Sequence, residues 1–325
     1  MGESEMATEA AAPPGTAEIP QVHSRVLSSE VRAKLELHRA WLNGDPKGVR
    51  ADLSGSHLSD LDLRGFDLRM VILTSSVLRL ANLAGVDLSE ADLHGVDFQE
   101  ADLRRADLSK TNLNSASLEN ANLAEAHLTE ATASNASFRG ARMLDVRMLD
   151  VKLQECCLIS ATLNGAVLQH ARMFDCDFSG ASLEGVVLNN AQIRMSRFRE
   201  VSASHCNFSY GLLASCDFRH ARLADSKFFR TNAGASLFCQ ALLSNCDFRE
   251  AKLKGADFAR AVLSKSRFGD ASLAFTDFRA ADLRDARELT ARQLCEARTG
   301  EGTILPSGTR GAYLRGSGSE RPTLR

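Results

Sequence analysis

Cys156 and Cys176 stand 20 residues apart, and Cys206, Cys216 and Cys246 come after them at multiples of ten. Thiols at fixed intervals raise three chemistries: a disulfide, a thiolate metal site or a nucleophile. Zinc needs close pairs such as CxxC or HxxxH, and the chain has neither. His57, His94, His127, His170, His205 and His220 are scattered and form no Ser-His-Asp or Cys-His pattern. No GxxxxGK[ST] loop and no GxGxxG after a strand offers a phosphate cradle. These residue types therefore imply no catalytic residue, no metal ligand, no cofactor and no enzyme. Cysteine is a good small hydrophobe, and packing is the expected role of all five thiols.

A second set of spacings suits recognition. Asp67, Asp87 and Asp107 also recur every 20 residues. If that interval returns the chain to one place, they form a column of like charge. Such a column costs stability unless solvent, arginine or a basic partner relieves it. Leu212, Phe229, Leu237 and Leu242 are large apolar residues at outward positions, and the last three fall within one 20-residue interval. The three aspartates and those last three are the candidate partner-binding residues, as an acidic column and an apolar patch.

The elements that must position them emerge from the stretch "ADLHGVDFQEADLRRADLSK", in which Leu93, Phe98, Leu103 and Leu108 recur every five residues. Neither a helix (period 3.6) nor a half-buried strand (period 2.0) repeats in this way. From Leu53 to Leu283 there are 47 such central positions, and only Ala133, Ala203 and Ala233 are not Leu, Phe, Ile or Met. Two places earlier the residue is small, except at Leu61 and Phe66. If both point inward, five residues form one side of a coil and 20 close a square turn. Phe178, Phe198, Phe218, Phe238, Phe258 and Phe278 then form one interior column, with Phe208, Phe228, Phe248 and Phe268 on the opposite wall. Cys157 and Cys239 fall at outward positions and are the expected reactive thiols.

"ADLSG", "ADLRR", "ANLAE" and "ADFAR" resemble the A(D/N)LXX motif of the pentapeptide repeat proteins. The resemblance covers Ala51 to about Leu283 and implies an all-β solenoid, a right-handed quadrilateral β-helix. About twelve coils at strand spacing make a rod of roughly 55–60 Å. The resemblance further implies a non-enzymatic scaffold presenting a rigid surface to a protein. Quinolone-resistance and toxin-immunity members mimic duplex DNA and bind DNA gyrase or topoisomerase, which is the alternative. A secreted bacterial effector is a second.

Charge weighs against the mimic. The net charge is −2. Residues 51–110 sum to −5 and residues 201–290 to +3. The balance favours a protein partner over direct nucleic-acid binding. Neither a membrane nor a small-molecule substrate is expected. The N-terminal stretch "MGESEMATEAAAPPG" lacks a signal-peptide layout, so a cytoplasmic bacterial protein is expected. The expected organisation is a disordered segment over 1–23, a capping helix from Ser29 to Leu42 within 24–50, and the repeats over 51–287. A capping segment over 288–305 and a flexible tail over 306–325 complete it. In the second cap a Thr290 to Gln293 capping box starts a short helix over 291–297.

Overall fold

A computed structural model describes residues 27–322. The segment 1–23 lies outside them. From Asp52↔Ile72 to Arg267↔Arg287 the outward residue of each pentapeptide bridges, in parallel, the residue 20 places further on. That register is a right-handed quadrilateral β-helix with no inserted loop. Each side bonds the coils above and below. Leu53 N donates to Ile72 O at 2.8 Å, and Ile72 N donates to Ala51 O at 3.1 Å. A turn then closes the corner, as where Ser56 N donates to Leu53 O at 3.1 Å.

The corner explains a rule that period counting alone does not reveal. Its last residue adopts a left-handed backbone, with φ of 71° at Gly85 and 59° at Glu90. Glycine does this freely, whereas β-branched residues do it at high cost. Accordingly, from residue 55 to 285 no Val, Ile or Thr occupies this position.

All the central residues are buried. The expected phenylalanine columns stack, with Phe218 on Phe238 at 4.9 Å between ring centroids and an interplanar angle of 2°. The two walls meet edge to face, as with Phe248 against Phe258 at 5.7 Å and 85°. Offset stacks along the axis and T-shaped contacts across it suit the ring quadrupoles and fill the lumen. The four faces are numbered in chain order from their first outward residues: Asp52, His57, Asp62 and Asp67.

Both ends are closed. Helix α1, Ser29–Leu42, is capped by Ser28, whose Oγ accepts from Val31 N at 3.2 Å. It lays Leu35 and His38 on the first coil. Trp41 stacks on the His38 ring at 5.6 Å. Helix α2, Ala291–Glu296, carries the expected capping box. Its Gln293 Nε2 donates to Phe268 O (2.8 Å), which also accepts from Ala271 N, and to Ala271 O (2.9 Å), a carbonyl that the backbone of a further coil would otherwise bond. The chain beyond α2 packs over the last coil, first through Ile304 and Leu305 of the expected capping segment and then through Arg310 and Tyr313, where a flexible tail is expected. Ile304 bridges Asp282 in parallel and Arg310 antiparallel, Leu305 is buried, and Tyr313 packs against the core. The reason is the orphan edge of the last coil, which offers backbone groups and apolar surface to any segment that can reverse over it.

Candidate binding faces

The acidic column forms as expected. Asp67, Asp87 and Asp107 bridge one another in sequence on the fourth face, with His127 and Arg147 next in line. Asp67 is relieved by Arg69 Nη2 at 2.6 Å, whose hydrogen bonds, opposed by burial, hold its carboxyl below the ordinary range. Arg69 Nε also lies 3.9 Å from Asp87. Asp87 and Asp107 accept from the backbone N–H groups of Ser89 (2.9 Å) and Ser109 (2.8 Å). The column is thus largely self-satisfied at its first two members.

Asp67 and Arg69 exemplify a local rule. Wherever a D-L-R or D-F-R triplet occurs, the arginine folds back onto the aspartate two places earlier. Arg64, Arg104, Arg219, Arg249, Arg279 and Arg284 do so at 2.5–2.8 Å. Asp217 is the most constrained. Burial works to raise its carboxyl, but bonds from Arg219 and Arg199 overcome this and hold it at about 2.

The expected apolar patch does not assemble. Phe229 sits at the corner between the fourth and first faces, Leu237 on the second face between Asp217 and Asp257, and Leu242 on the third between Arg222 and Val262. Residues close in sequence are carried around the square, so proximity along the chain places them on different sides. Phe229 packs edge-on against Tyr210 at 5.5 Å and lies under the guanidinium groups of Arg230 and Arg249.

The structure contributes a site that counting by fives misses. On the first face, four successive coils form three-residue strands: β1, Thr132–Ser134; β2, Lys152–Gln154; β3, Arg172–Phe174; and β4, Gln192–Arg194. They make a parallel sheet in the order β1-β2-β3-β4, the only sheet of full strands among the described residues. Elsewhere one outward side chain per coil projects from a face before the chain turns. Here the residue after the centre stays in the strand, so each coil projects two. The result is a flat platform beside an open groove of about 520 Å³.

Lys152 lies directly beside Arg172, and Phe174 beside Arg194. Among the described residues none of these three cations has a carboxylate within 4.0 Å, unlike the arginines of the D-L-R and D-F-R triplets. Phe174 is 43% exposed and Met195, at the platform edge, 56%. The rim carboxylates have partners other than these cations: Glu155 accepts from Gln154 of β2 at 3.0 Å, and Asp175 pairs with Arg197 on the second face at 3.5 Å. A signal was present in the sequence. Lys152 and Arg172 are 20 apart, and Gln154, Phe174 and Arg194 follow one another at the same interval as large residues.

Among the described residues no group of three or more His, Cys, Asp or Glu is placed to hold a metal, and no helix is long and apolar enough to cross a membrane.

The repeated square coil defines a class of solenoid, and the comparisons place the chain within it. The family model for pentapeptide repeats matches residues 76–114, 106–145, 152–190 and 241–285, and the chain belongs to that family. It is similar to a pentapeptide repeat protein from the Arabidopsis thaliana thylakoid lumen, with 35% identity over 30% of this chain and 68% of that one, at a TM-score of 0.29. It is similar also to HetL, a pentapeptide repeat protein involved in heterocyst differentiation regulation in Nostoc sp. strain PCC 7120, with 24% identity over 85% and 98% and a TM-score of 0.23. A third similarity is to QnrB1, a plasmid-mediated fluoroquinolone resistance protein, with 19% identity over 50% and 84% and a TM-score of 0.33. A search of curated proteins found no match.

Proposed function

We propose that the chain is a non-enzymatic cytoplasmic scaffold that presents the platform of β1–β4 to a protein partner. The observation that carries this reading is the gathering of three cations without a carboxylate within 4.0 Å, Lys152, Arg172 and Arg194, around the exposed Phe174 on the one sheet of full strands among the described residues. Many outward arginines elsewhere are tied to an aspartate two residues away, and the cations that are not, such as Arg142, Arg222 and Lys252, stand outside that sheet. A coil whose lumen is filled to interior density is rigid, so such a surface is held in shape before binding, and little ordering entropy is lost.

The test is comparative capture from the source cells, with the native chain and a Lys152→Glu, Arg172→Glu variant as baits. A partner held by the native chain and lost by the variant is the expected result. Equal capture by both would remove the platform from the function. The column Asp67, Asp87, Asp107 favours a second reading, mimicry of duplex DNA toward a topoisomerase.

A further inference from the structure

We infer that the platform takes an extended acidic segment of the partner, with carboxylates on Lys152, Arg172 and Arg194 and an apolar side chain against Phe174. This inference rests on the scaffold reading and specifies its partner chemistry.

The first argument is charge complementarity. Lys152 and Arg172 occupy equivalent places on adjacent parallel strands. Adjacent strands lie about 4.8 Å apart, close enough for like charges to repel. Among the described residues no carboxylate within 4.0 Å relieves them, and Arg194 adds a third positive charge one strand beyond Arg172. A bound anion removes that repulsion, so the partner's carboxylates gain more here than on a neutral face. Arginine also offers a planar fork suited to bidentate carboxylate pairing.

The second argument is shape. The four strands cover about 15–20 Å along the rod axis, the span of five or six extended residues. A segment laid across the strands at about 3.3 Å per residue places alternate side chains about 6.6 Å apart. That lies between the adjacent spacing of Lys152 and Arg172 and the longer diagonal from Arg172 to Arg194. The exposed Phe174 ring sits between Gln154 and Arg194 and supplies an apolar contact inside the charged set.

The third argument selects peptide over nucleic acid. Glu155 and Asp175 flank one edge of the platform, and Glu130 and Asp150 occupy corners on the other side. A narrow segment places its carboxylates on the floor and clears this rim. A nucleic-acid strand carries charge continuously along its backbone and meets the rim as well as the floor.

The experiment uses the whole chain and fluorescence anisotropy. The probes are a labelled Glu- and Leu-rich peptide of about ten residues, its twin with Gln in place of Glu, and a labelled oligothymidylate. The expected result is that the acidic peptide binds at least about tenfold more tightly than the Gln twin and weakens with salt. Lys152→Glu with Arg172→Glu weakens it by at least about tenfold, and Phe174→Ala by about threefold. Arg142→Glu with Arg222→Glu, an equal charge change on the third face, leaves it within about twofold and controls for net charge; circular dichroism confirms that each variant is folded. Equal binding of the two peptides overturns the inference. So does tighter binding of the oligonucleotide through the same residues, or platform-dependent self-association in sedimentation, which makes the occupant a second copy. If the acidic peptide fails while capture of a cellular partner still depends on Lys152 and Arg172, the partner chemistry is wrong and the scaffold reading stands. If both fail, both fall.

Discussion

The small interior position is chemically finer than packing alone requires. Cys206 Sγ donates to Leu183 O at 2.8 Å and Ser226 Oγ to Ala203 O at 3.0 Å; Cys246 and Ser266 repeat the contact at 3.1 and 2.7 Å. Cysteine and serine are interchangeable here because either can reach a carbonyl of the preceding coil, a bond invisible to a size rule. Burial pushes the Cys206 and Cys216 thiols up to about 12 each. Cys176, hydrogen-bonded to Cys156 and buried, is also raised. Cys239 faces outward and is expected from its position to react, but burial and then Asp257 push it up to about 12 as well. In the native protein a maleimide should therefore label exposed Cys295 and half-buried Cys157, and Cys239 only slowly. Rapid native labelling of five or more thiols would refute this. His38 carries a second prediction. Its Nδ1 accepts from Ala51 N at 3.1 Å and its Nε2 donates to Arg69 O at 2.9 Å, so the neutral ring fits and the protonated ring loses the Ala51 bond. Burial lowers its pKa, with Arg50 and Arg69 helping and the Arg69 carbonyl and Asp67 opposing. The native state therefore binds this proton less readily than the unfolded chain. Its contribution to stability is complete above pH 6.5, the ordinary value, and is lost as pH falls through the lowered native value. Trp41, stacked on this ring, should report the change in its fluorescence. His38→Ala should cost about 2–4 kcal/mol at pH 7, because two buried backbone groups lose their partner. A stability profile for the native chain that stays flat from pH 7 to 5 would contradict the neutral ring.

At the scale of elements, the caps obey ordinary local rules and were legible for that reason. Ser28 begins α1, and Thr290 with Gln293 begins α2, as their side-chain types and spacing require. The segment after α2 is less legible. The bridge offset grows from 20 residues to 21 at Asp277↔Arg298 and 22 at Asp282↔Ile304, so no fixed period connects Leu305 to the core it joins. The platform escapes the repeat pattern for a related reason. Counting by fives treats every corner alike, whereas at Ser134, Gln154, Phe174 and Arg194 the strand continues for one more residue. Thr290→Ala should cost about 1 kcal/mol in chemical denaturation, by loss of the cap. Gln293→Leu should cost about 1–3 kcal/mol, because it leaves the Ala271 carbonyl without its donor and removes a second bond from the Phe268 carbonyl, which keeps Ala271 N. Ending the chain at Glu288 should expose the final coil edge and drive association, which sedimentation would detect. A truncated chain that stays monomeric and equally stable would show that α2 and the segment beyond it are not a plug.

For the whole molecule, the unbroken five-residue register made the square coil legible from the sequence, because a fixed period returns each residue type to the same wall at every turn. The register does not convey how the surface charges are spent, since that depends on side chains meeting across corners and between coils. This bears on the DNA-mimic alternative. A mimic must present negative charge at a density approaching that of duplex DNA, one charge per ~1.7 Å of axis, over the length the enzyme grips. The acidic residues here are densest in coils one to three, roughly 15 Å of rod. Even there Asp62 is tied to Arg64, Asp67 to Arg69, Asp97 to Arg79 and Asp102 to Arg104. Further along the same rod the open cations Lys152, Arg172 and Arg194 would face a groove built for an anion. The purified chain should therefore inhibit DNA gyrase supercoiling weakly or not at all, and its expression should give no quinolone protection. Inhibition at low micromolar protein, abolished by changing Asp67, Asp87 and Asp107 to Asn, would reverse this ranking and make the acidic column, not the platform, the functional surface.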